Sequence, residues 1–155
     1  MAKPTQIETR DRYRIFTRVT TQWKDNDVFG HINNAVYNAW MDTAVTMFFR
    51  QHWPELPNTP LIPVAGETHF TFHHSIAHPA DVETGLRVER IGNRSVRCGV
   101  GIFLDGEDEA AAWGHMVHVW VDRKTNETVP VPARLRSGLE TAWVPSELLN
   151  EGATP

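Results

Sequence analysis

Residues 22–37 read QWKDNDVFGHINNAVY, and this stretch decides how the rest of the chain is interpreted. Two carboxylates, Asp25 and Asp27, precede a glycine, a histidine and two asparagines, and a helical period begins at Ala35. The first N–H groups of a helix lack intrahelical partners and carry the positive end of its dipole. Such a terminus attracts a ligand that develops negative charge. We therefore expect the reaction centre at the start of this helix.

The helix itself is marked by apolar residues at steps of three and four. The residues that form this stripe are Val36, Trp40, Ala44, Met47 and Phe48. Their spacing predicts one face of a helix from Ala35 to about Gln51. Asn33 or Asn34 would be its N-cap. A loop with three prolines, residues 53–60, should then end the helix, because proline removes backbone donors.

Five segments have the alternation or the β-branched and aromatic composition of strands. They are residues 13–23, 61–74, 81–91, 94–104 and 110–121. In the fourth of these, Val96, Cys98, Val100 and Ile102 should face the core. Gly92-Asn93 and Asp105-Gly106 mark turns between successive strands. The segment 130–149 is expected to form one short helix.

This order predicts an α+β fold in which an antiparallel five-stranded sheet wraps around one long central helix. The length of 155 residues fits a single domain over 1–155, with its core at about 12–124 and a C-terminal segment, 125–155, packed on the surface. A lone helix covers one face of the sheet only. The other face, or an edge, is expected to be covered by self-association.

Composition argues against several classes of function. The net charge is −4, from 15 basic and 19 acidic residues, which disfavours nucleic-acid binding. No apolar run reaches the roughly 18 residues that cross a bilayer, and the polar start of the chain does not read as a secretory signal. The single cysteine cannot form an intramolecular disulfide. We expect a cytoplasmic protein that binds neither nucleic acid nor membrane.

The chain resembles the hotdog-fold acyl-CoA thioesterases of the 4-hydroxybenzoyl-CoA thioesterase type. Members of that family have a D-x-D-x-x-G-H-x-N-N-like loop before the central helix. The matching residues here are Asp25, Asp27, Gly30, His31, Asn33, Asn34 and Tyr37. The resemblance continues weakly through Asp42 and Ala44, then through VETGLRVERIGNRSV and GHMVHVWVDRKTNETVPVP. It therefore covers most of the chain.

The resemblance implies a thioester hydrolase acting on an acyl-CoA, with sites between the subunits of a homodimer or a dimer of dimers. It implies that Asp27 is the catalytic carboxylate. Asp27 could attack the thioester carbonyl or deprotonate water. His31 and Asn33 are candidate donors to that carbonyl or orienters of Asp27. Asn34 is either a substrate contact or a helix cap, and Asp25 is more typical of a loop-stabilising carboxylate.

Further residues are candidates for substrate binding. Gly30 would let the loop approach the substrate. Tyr37 of the motif and Trp40 of the helix are candidate substrate contacts, with core packing as the alternative for Trp40. The turn residues Arg90, Asn93, Arg94 and Ser95 could meet the phosphates of coenzyme A, with a solvated basic turn as the alternative. Changes at Trp40 or Met47 should reorder acyl preference.

Neither a metal nor an organic cofactor is expected, apart from coenzyme A as part of the substrate. His69, His73, His74 and His78 would alternate between two faces of a strand and could not easily converge on one ion. Two alternatives to an acyl-CoA hydrolase stay open. One is hydrolysis of acyl groups from a carrier protein, and the other is a hotdog protein that binds acyl-CoA without turnover.

Overall fold

The structure, a computed structural model, describes residues 6–150. Five strands and three helices form it: β1 Ile15–Thr20, α1 Asn34–His52, β2 Leu61–Phe72, β3 Asp81–Ile91, β4 Ser95–Leu104, β5 Ala112–Asp122, α2 Ala133–Glu140 and α3 Ser146–Asn150. Short 3-10 turns cover Arg10–Arg12, Trp23–Asp25 and Leu56–Asn58. No helix among the described residues is long and apolar enough to cross a membrane.

The five strands form one antiparallel sheet in the order β1-β3-β4-β5-β2. The predicted sheet and its single long helix are confirmed, and β3 has the predicted bounds. The first strand is shorter than predicted. It ends at Thr20 because a 3-10 turn begins at Trp23, where the Gln22 N–H donates to the Asp25 carboxylate at 2.8 Å. The two edges of the sheet are β1, with six residues, and β2, with twelve.

Helix α1 packs on the inner face of the sheet through only part of the stripe that its sequence predicts: Trp40 and Phe48 of that stripe lie in the core, while Val36 and Ala44 pack half-buried against it. Its most buried side chains include Tyr37, Met41, Val45 and Phe49, each no more than 3% exposed. The predicted stripe is rotated toward β1, and Met47 in it is 55% exposed. The predicted inner residues of β4 all lie in the core with no exposed surface. The helix therefore has more apolar surface than the sheet covers.

The outer face of the sheet is covered in part by the chain itself. Tyr13 packs there edge to face on Phe103, with ring centroids 5.5 Å apart. Ion pairs and hydrogen bonds then run across the face toward β2 through Glu8, Arg87, Glu89, Arg97, His115 and Glu67. Polar pairing thus satisfies much of the face that we expected a second copy to cover. The edge strands β1 and β2 each remain without a partner strand on one side.

The C-terminal segment corrects the prediction of a single short helix on the surface. Two helices form, and α2 is part of the core, with Leu135 and Leu139 fully buried in the main apolar cluster. Gly138 of α2 lies so close to the His52 ring that a side chain at this position would clash. Residues 1–5 and 151–155 of the predicted domain lie outside the described residues.

Candidate active site

Asp27 lies half-buried in the loop that leads into α1. Its Oδ1 atom accepts the Phe29 N–H at 2.8 Å, and its backbone N–H donates to the His31 carbonyl at 2.9 Å. The Gly30 N–H donates to the Asp27 carbonyl at 3.1 Å. Among the described residues, no group donates to Oδ2 of Asp27. The loop therefore orients this carboxylate through one oxygen and leaves the other for a ligand or a water molecule.

Gly30 has a conformational reason to be glycine. Its φ of +81° lies in the left-handed region that side chains other than glycine rarely adopt. A Cβ at this position would meet no atom within 4 Å. The turn that holds Asp27 thus depends on Gly30 through its backbone and not through close packing. That Gly30 lets the loop approach a substrate stays a prediction.

The N-terminus of α1 has a defined cap and one open donor. Asn33 is the N-cap, since its Oδ1 atom accepts the Ala35 N–H at 2.9 Å and its carbonyl accepts the Val36 N–H at 2.9 Å. Asn34 is the first helical residue, and its side chain is exposed. The structure gives the Asn34 N–H no acceptor among residues 6–150. This amide is the free donor in the first turn.

Asp25 and Asn26 lock the loop instead of facing the site. Asp25 is 8% exposed, accepts the Gln22 N–H through its carboxylate, and accepts the Asn33 N–H through its carbonyl at 2.9 Å. Asn26 accepts the His78 N–H at 3.0 Å through Oδ1. The loop-stabilising interpretation of Asp25 is confirmed. Sequence reasoning missed Asn26, because its partner lies 52 residues away and no local pattern marks the pair.

A cavity of about 290 Å³ opens beside this terminus, between the start of α1 and the end of β2. His31, Asn34 and Tyr37 line it on the helix side, and His73, His74 and Ser75 complete its polar rim. Tyr37 is 2% exposed and packs edge to face on Phe72, with ring centroids 5.1 Å apart. Burial raises the pKa of Tyr37, so its phenol stays protonated. The structure thus brings three predicted site residues, His31, Asn34 and Tyr37, to one cavity.

Trp40 lies on the opposite flank of α1. It is 9% exposed and lines a second cavity, of about 390 Å³, together with Val19, Ala35 and Val36. Its ring also packs on Tyr37, with centroids 5.3 Å apart. Trp40 therefore packs in the core, which was the alternative interpretation of this residue. Its contact with a ligand stays a prediction.

The predicted nucleotide-binding turn lies at the far end of the molecule. Arg136 of α2 donates to the Gly92 carbonyl at 2.8 Å, and α2 packs on His52 at the C-terminus of α1. A 19-residue helix is about 28 Å long. Within one chain, the residues of this turn, Arg90, Asn93, Arg94 and Ser95, do not come together with Asp27. Arg94 instead donates to Thr128 Oγ1 at 2.7 Å.

Within residues 6–150, no group of three or more histidine, cysteine or carboxylate side chains is arranged to hold a metal ion. Strand β2 ends at Phe72, so His73 and His74 follow it. His69 stacks on His115, with ring centroids 5.4 Å apart. The Nε2 atom of His115 bonds the Glu67 carboxylate at 2.6 Å, while its Nδ1 atom accepts from Arg97 at 3.0 Å. His69 and His115 therefore belong to the outer face, where His115 joins the polar network.

A family model described as the thioesterase-like superfamily matches residues 21–139, which includes the Asp27 loop, α1 and the whole sheet after it. The chain belongs to this superfamily. Membership confirms the resemblance drawn from the Asp27 loop, and it supports thioester hydrolysis as the general activity of the protein. No curated protein gives a significant match to the sequence.

Solved structures show the same fold. The PA5185 protein from Pseudomonas aeruginosa is 34% identical, with a TM-score of 0.86 over 89% of this chain and 97% of its own. A Thermus thermophilus thioesterase, in complex with coenzyme A and Zn, is 25% identical, with a TM-score of 0.71 over 85% and 96% of the two chains. A gentisyl-coenzyme A thioesterase is 19% identical, with a TM-score of 0.73 over 81% and 99%. The architecture is the hotdog fold.

Proposed function

We propose that the protein is an acyl-CoA thioesterase in which Asp27 acts on the thioester carbonyl and the N-terminus of α1 stabilises the oxyanion. The observation that carries this proposal is a loop-to-helix segment, residues 27–34, that contains both a half-buried carboxylate bound through Oδ1 only and the free Asn34 N–H at the start of a 19-residue helix. Hydrolysis of an ester needs both a base or nucleophile and a donor to the developing negative charge. The site offers one of each.

The chemistry of a thioester suits so small a set of groups. Its leaving thiol has a pKa near 8.5, so departure of the thiolate requires no strong general acid. Asp27 would either attack the carbonyl carbon, expelling the thiolate and forming an anhydride that water then hydrolyses, or remove a proton from the water that attacks the carbonyl carbon as the thiolate leaves. The Asn34 N–H, at the positive end of the helix dipole, would donate to the carbonyl oxygen as it becomes negative.

The neighbouring polar residues would act on the substrate and not on the bond itself. Asn33 already uses its Oδ1 atom as the helix cap, so its role is to hold the first turn in place. His31 is exposed at the mouth of the 290 Å³ cavity and would contact the pantetheine arm or the thioester sulfur. Neither a metal nor an organic cofactor is needed for this reaction, and acyl-CoA metabolism suits a cytoplasmic protein.

Coenzyme A as the carrier of the acyl group is supported by the relatives. The Thermus thermophilus thioesterase was crystallised with coenzyme A, and a second relative is named for gentisyl-coenzyme A. Both share the fold of this chain. For this protein, coenzyme A is therefore the carrier that we propose over an acyl carrier protein.

We propose that two copies pair through β2. This strand has twelve residues at the edge of the sheet, and residues 64–69 in it are all exposed. A long exposed edge presents unpaired N–H and C=O groups to a second strand. Antiparallel pairing of two β2 strands obeys two-fold symmetry and would join the sheets into one. A pair of such dimers would make the tetramer.

Pairing through β2 would also explain how the basic β3–β4 turn could bind the substrate although it lies far from Asp27 within one chain. Leu61 of β2 lies at the end of the sheet that carries the β3–β4 turn, and Phe72 lies at the end that carries Asp27. Antiparallel pairing reverses one copy relative to the other. It would therefore bring the β3–β4 turn of one copy to the end of the sheet where the second copy has its Asp27. The nucleotide would then be bound across the dimer.

The test is release of free thiol from a panel of acyl-CoA thioesters by the purified protein. We expect steady turnover of at least one acyl-CoA, with the free acid and coenzyme A in equal amounts. Tight binding of acyl-CoA without thiol release would support the binding protein instead. Thiol release from an acylated carrier protein but from no acyl-CoA would show that the carrier protein, and not coenzyme A, carries the acyl group.

A further inference from the structure

A β-bulge places two arginines side by side on the outer face of the sheet. The pairing of β3 with β4 shifts by one residue between Val88 and Arg90, so that Arg90 lies directly opposite Arg97. Bulges re-aim side chains and are over-represented next to functional sites. Like charges directly opposite each other in a sheet are destabilising. This pair of arginines therefore requires negative charge beside it.

Glu89, the extra residue of the bulge, supplies negative charge to Arg97 but not to Arg90. Its Oε2 atom accepts from Arg97 Nε at 2.8 Å, and its Oε1 atom accepts from Arg87 Nε at 3.0 Å. Among residues 6–150, Arg90 has neither a hydrogen-bond acceptor nor an ion-pair partner. Nη2 of Arg97 donates to His115 at 3.0 Å, while its Nη1 has no acceptor in the same range. Arg90 and one end of Arg97 are therefore free donors.

Close packing holds the Glu89 carboxylate away from Arg90. Arg87 is 5% exposed, and its Nη1 atom also pairs with Glu8, at 2.6 Å. Gly99 lies opposite Arg87 in β4, and a Cβ at this position would collide with the Glu89 carboxylate. The absence of a side chain at Gly99 thus makes room for the ion pair. Glu89 cannot turn toward Arg90 without losing its bond to Arg87.

A cavity of about 350 Å³ lies between these arginines and helix α3. Both free arginines line it from the sheet, and Ser146 and Leu149 line it from α3. Arg12 donates to the Leu149 carbonyl at 3.3 Å and so attaches α3 to the outer face. The match to the family model ends at residue 139. The side of the cavity formed by α3 therefore lies beyond the matched region.

The free donors in this cavity suit a phosphate group. A guanidinium satisfies both oxygens of a carboxylate alone, whereas a phosphate has further oxygens for a second guanidinium and a hydroxyl, which Arg97 and Ser146 supply beside Arg90. The charge also matches a dianion. The cavity lining and the ion pairs attached to it contain four guanidinium groups and two carboxylates, which belong to Arg12, Arg87, Arg90, Arg97, Glu8 and Glu89.

The cavity lies far from the candidate active site of the same chain. The Asp27 loop is attached just before β3, where the His78 N–H donates to Asn26 at 3.0 Å. Arg90 is nine residues beyond Asp81, the first residue of β3, which is about 30 Å along a strand. Arg90 also lies on the face of the sheet opposite to α1. A phosphate in this cavity therefore does not reach the reaction centre of its own chain.

We propose that the cavity between Arg90, Arg97 and Ser146 is a binding site for a phosphate group. The group has two sources with the same chemistry. One is free phosphate, and the other is the 3′-phosphate of a coenzyme A whose thioester lies at Asp27 of a second copy. The site follows from the arginine pair and its cavity, and not from the proposed thioesterase function. Binding is therefore measured without turnover.

The test is calorimetric titration of the purified protein, at constant ionic strength, with inorganic phosphate, coenzyme A and dephospho-coenzyme A, which lacks the 3′-phosphate. Arg90→Gln removes a charge without breaking a hydrogen bond of the folded chain. Ser146→Ala removes the hydroxyl group that α3 contributes. Arg18→Gln is the matched control, because it removes the same charge from an exposed position outside the cavity.

We expect saturable binding of inorganic phosphate at one site per chain. Arg90→Gln should weaken it at least about tenfold, as the loss of a charge-assisted hydrogen bond predicts. Ser146→Ala should weaken it less, and Arg18→Gln should leave it unchanged. No saturable phosphate binding together with equal affinity for the two coenzymes would overturn the proposal. Equal losses in Arg90→Gln and Arg18→Gln would overturn it as well.

The two coenzymes distinguish the source of the phosphate. If coenzyme A supplies it, coenzyme A binds more tightly than dephospho-coenzyme A, and Arg90→Gln removes the difference. If free phosphate is the ligand, the two coenzymes bind equally, and only the affinity for inorganic phosphate depends on Arg90. Either result supports the site.

Discussion

At the scale of single residues, the reacting carboxylate is held by neighbours that do not react. Asp25, Asn26 and Asn33 bind backbone groups on both sides of Asp27, so both ends of the short turn at 27–30 are anchored by hydrogen bonds. A carboxylate oriented in this way meets the substrate without rearrangement of the loop. Changes at these positions should act on stability and on loop order before they act on chemistry.

The two asparagines at the start of α1 provide a direct comparison. Asn33→Ala removes the side chain that caps the helix and should lower the free energy of unfolding by about 1 kcal/mol. Asn34→Ala leaves the cap in place and should change stability by less than about 0.5 kcal/mol. Urea denaturation of both variants checks this. An equal fall in the free energy of unfolding in the two variants would contradict the assignment of Asn33 as the N-cap.

His118 predicts a dependence of stability on pH. It is 4% exposed on the inner face of β5, and its Nδ1 atom has no hydrogen-bond partner. Burial lowers the pKa of His118, against an opposing effect of Asp42. The folded chain then binds fewer protons than the unfolded chain, whose histidine titrates near 6.5. This contribution to stability is complete above the unfolded pKa and is lost as the pH falls through the lower, folded pKa.

We therefore expect the free energy of unfolding to fall as the pH drops below about 6.5, where the histidine of the unfolded chain titrates. His118→Phe, which cannot be protonated and keeps an aromatic ring beside Phe49, should show a smaller fall. His74→Phe, at an exposed position, should retain the slope of the wild type. If the free energy of unfolding fell equally with pH in the wild type and in His118→Phe, His118 would be excluded as the source of the pH dependence.

At the scale of elements, the sequence was most informative where a pattern is local. Alternation in β3 and β4 predicts their inner faces, because a strand has only two faces to choose from. The helix was harder. Its bounds were predicted to within one residue, but two apolar stripes compete on α1, and only the packed sheet decides that Met41 and Val45 lie in the core while Met47 does not.

Long-range pairs lie beyond what such patterns can predict. Nothing in the spacing of Asn26 and His78, or of Glu67 and His115, indicates that they meet. The same limit applies to the turn at Gly92, which the sequence marks as basic without indicating at which end of α1 it lies. Asp27 and its helix were found because the motif and the cap are contiguous in the chain.

The edge strand β2 predicts assembly. The protein in solution should have at least twice the 17.6 kDa mass of one chain. Val64→Lys places a charge on the exposed edge and should weaken the dimer, since charged side chains oppose edge-to-edge pairing. Thr20→Lys, on the opposite edge strand, is the control. Light scattering at micromolar concentration measures both, and a wild type with the mass of a single chain would contradict the proposed dimer.

At the scale of the whole molecule, substrate binding should divide between the two ends of the sheet. Arg90→Ala and Arg94→Ala should raise KM for every acyl-CoA by a similar factor with kcat little changed, as expected when uniform binding is lost. Since these residues lie far from Asp27 within one chain, the effect also depends on the dimer. Acyl preference that changes with Arg90 or Arg94 would contradict this division.

The central claim is that Asp27 is the carboxylate that reacts, and one comparison of kcat tests it most directly. Asp27→Asn keeps the shape of the side chain and an oxygen for the Phe29 N–H, but it removes the base and nucleophile. Asp25→Asn retains an acceptor for the Gln22 N–H in the same loop and is the control. Thiol release from the best acyl-CoA should fall about a hundredfold or more in Asp27→Asn and far less in Asp25→Asn. Nearly full thiol release by a folded Asp27→Asn protein would contradict the claim.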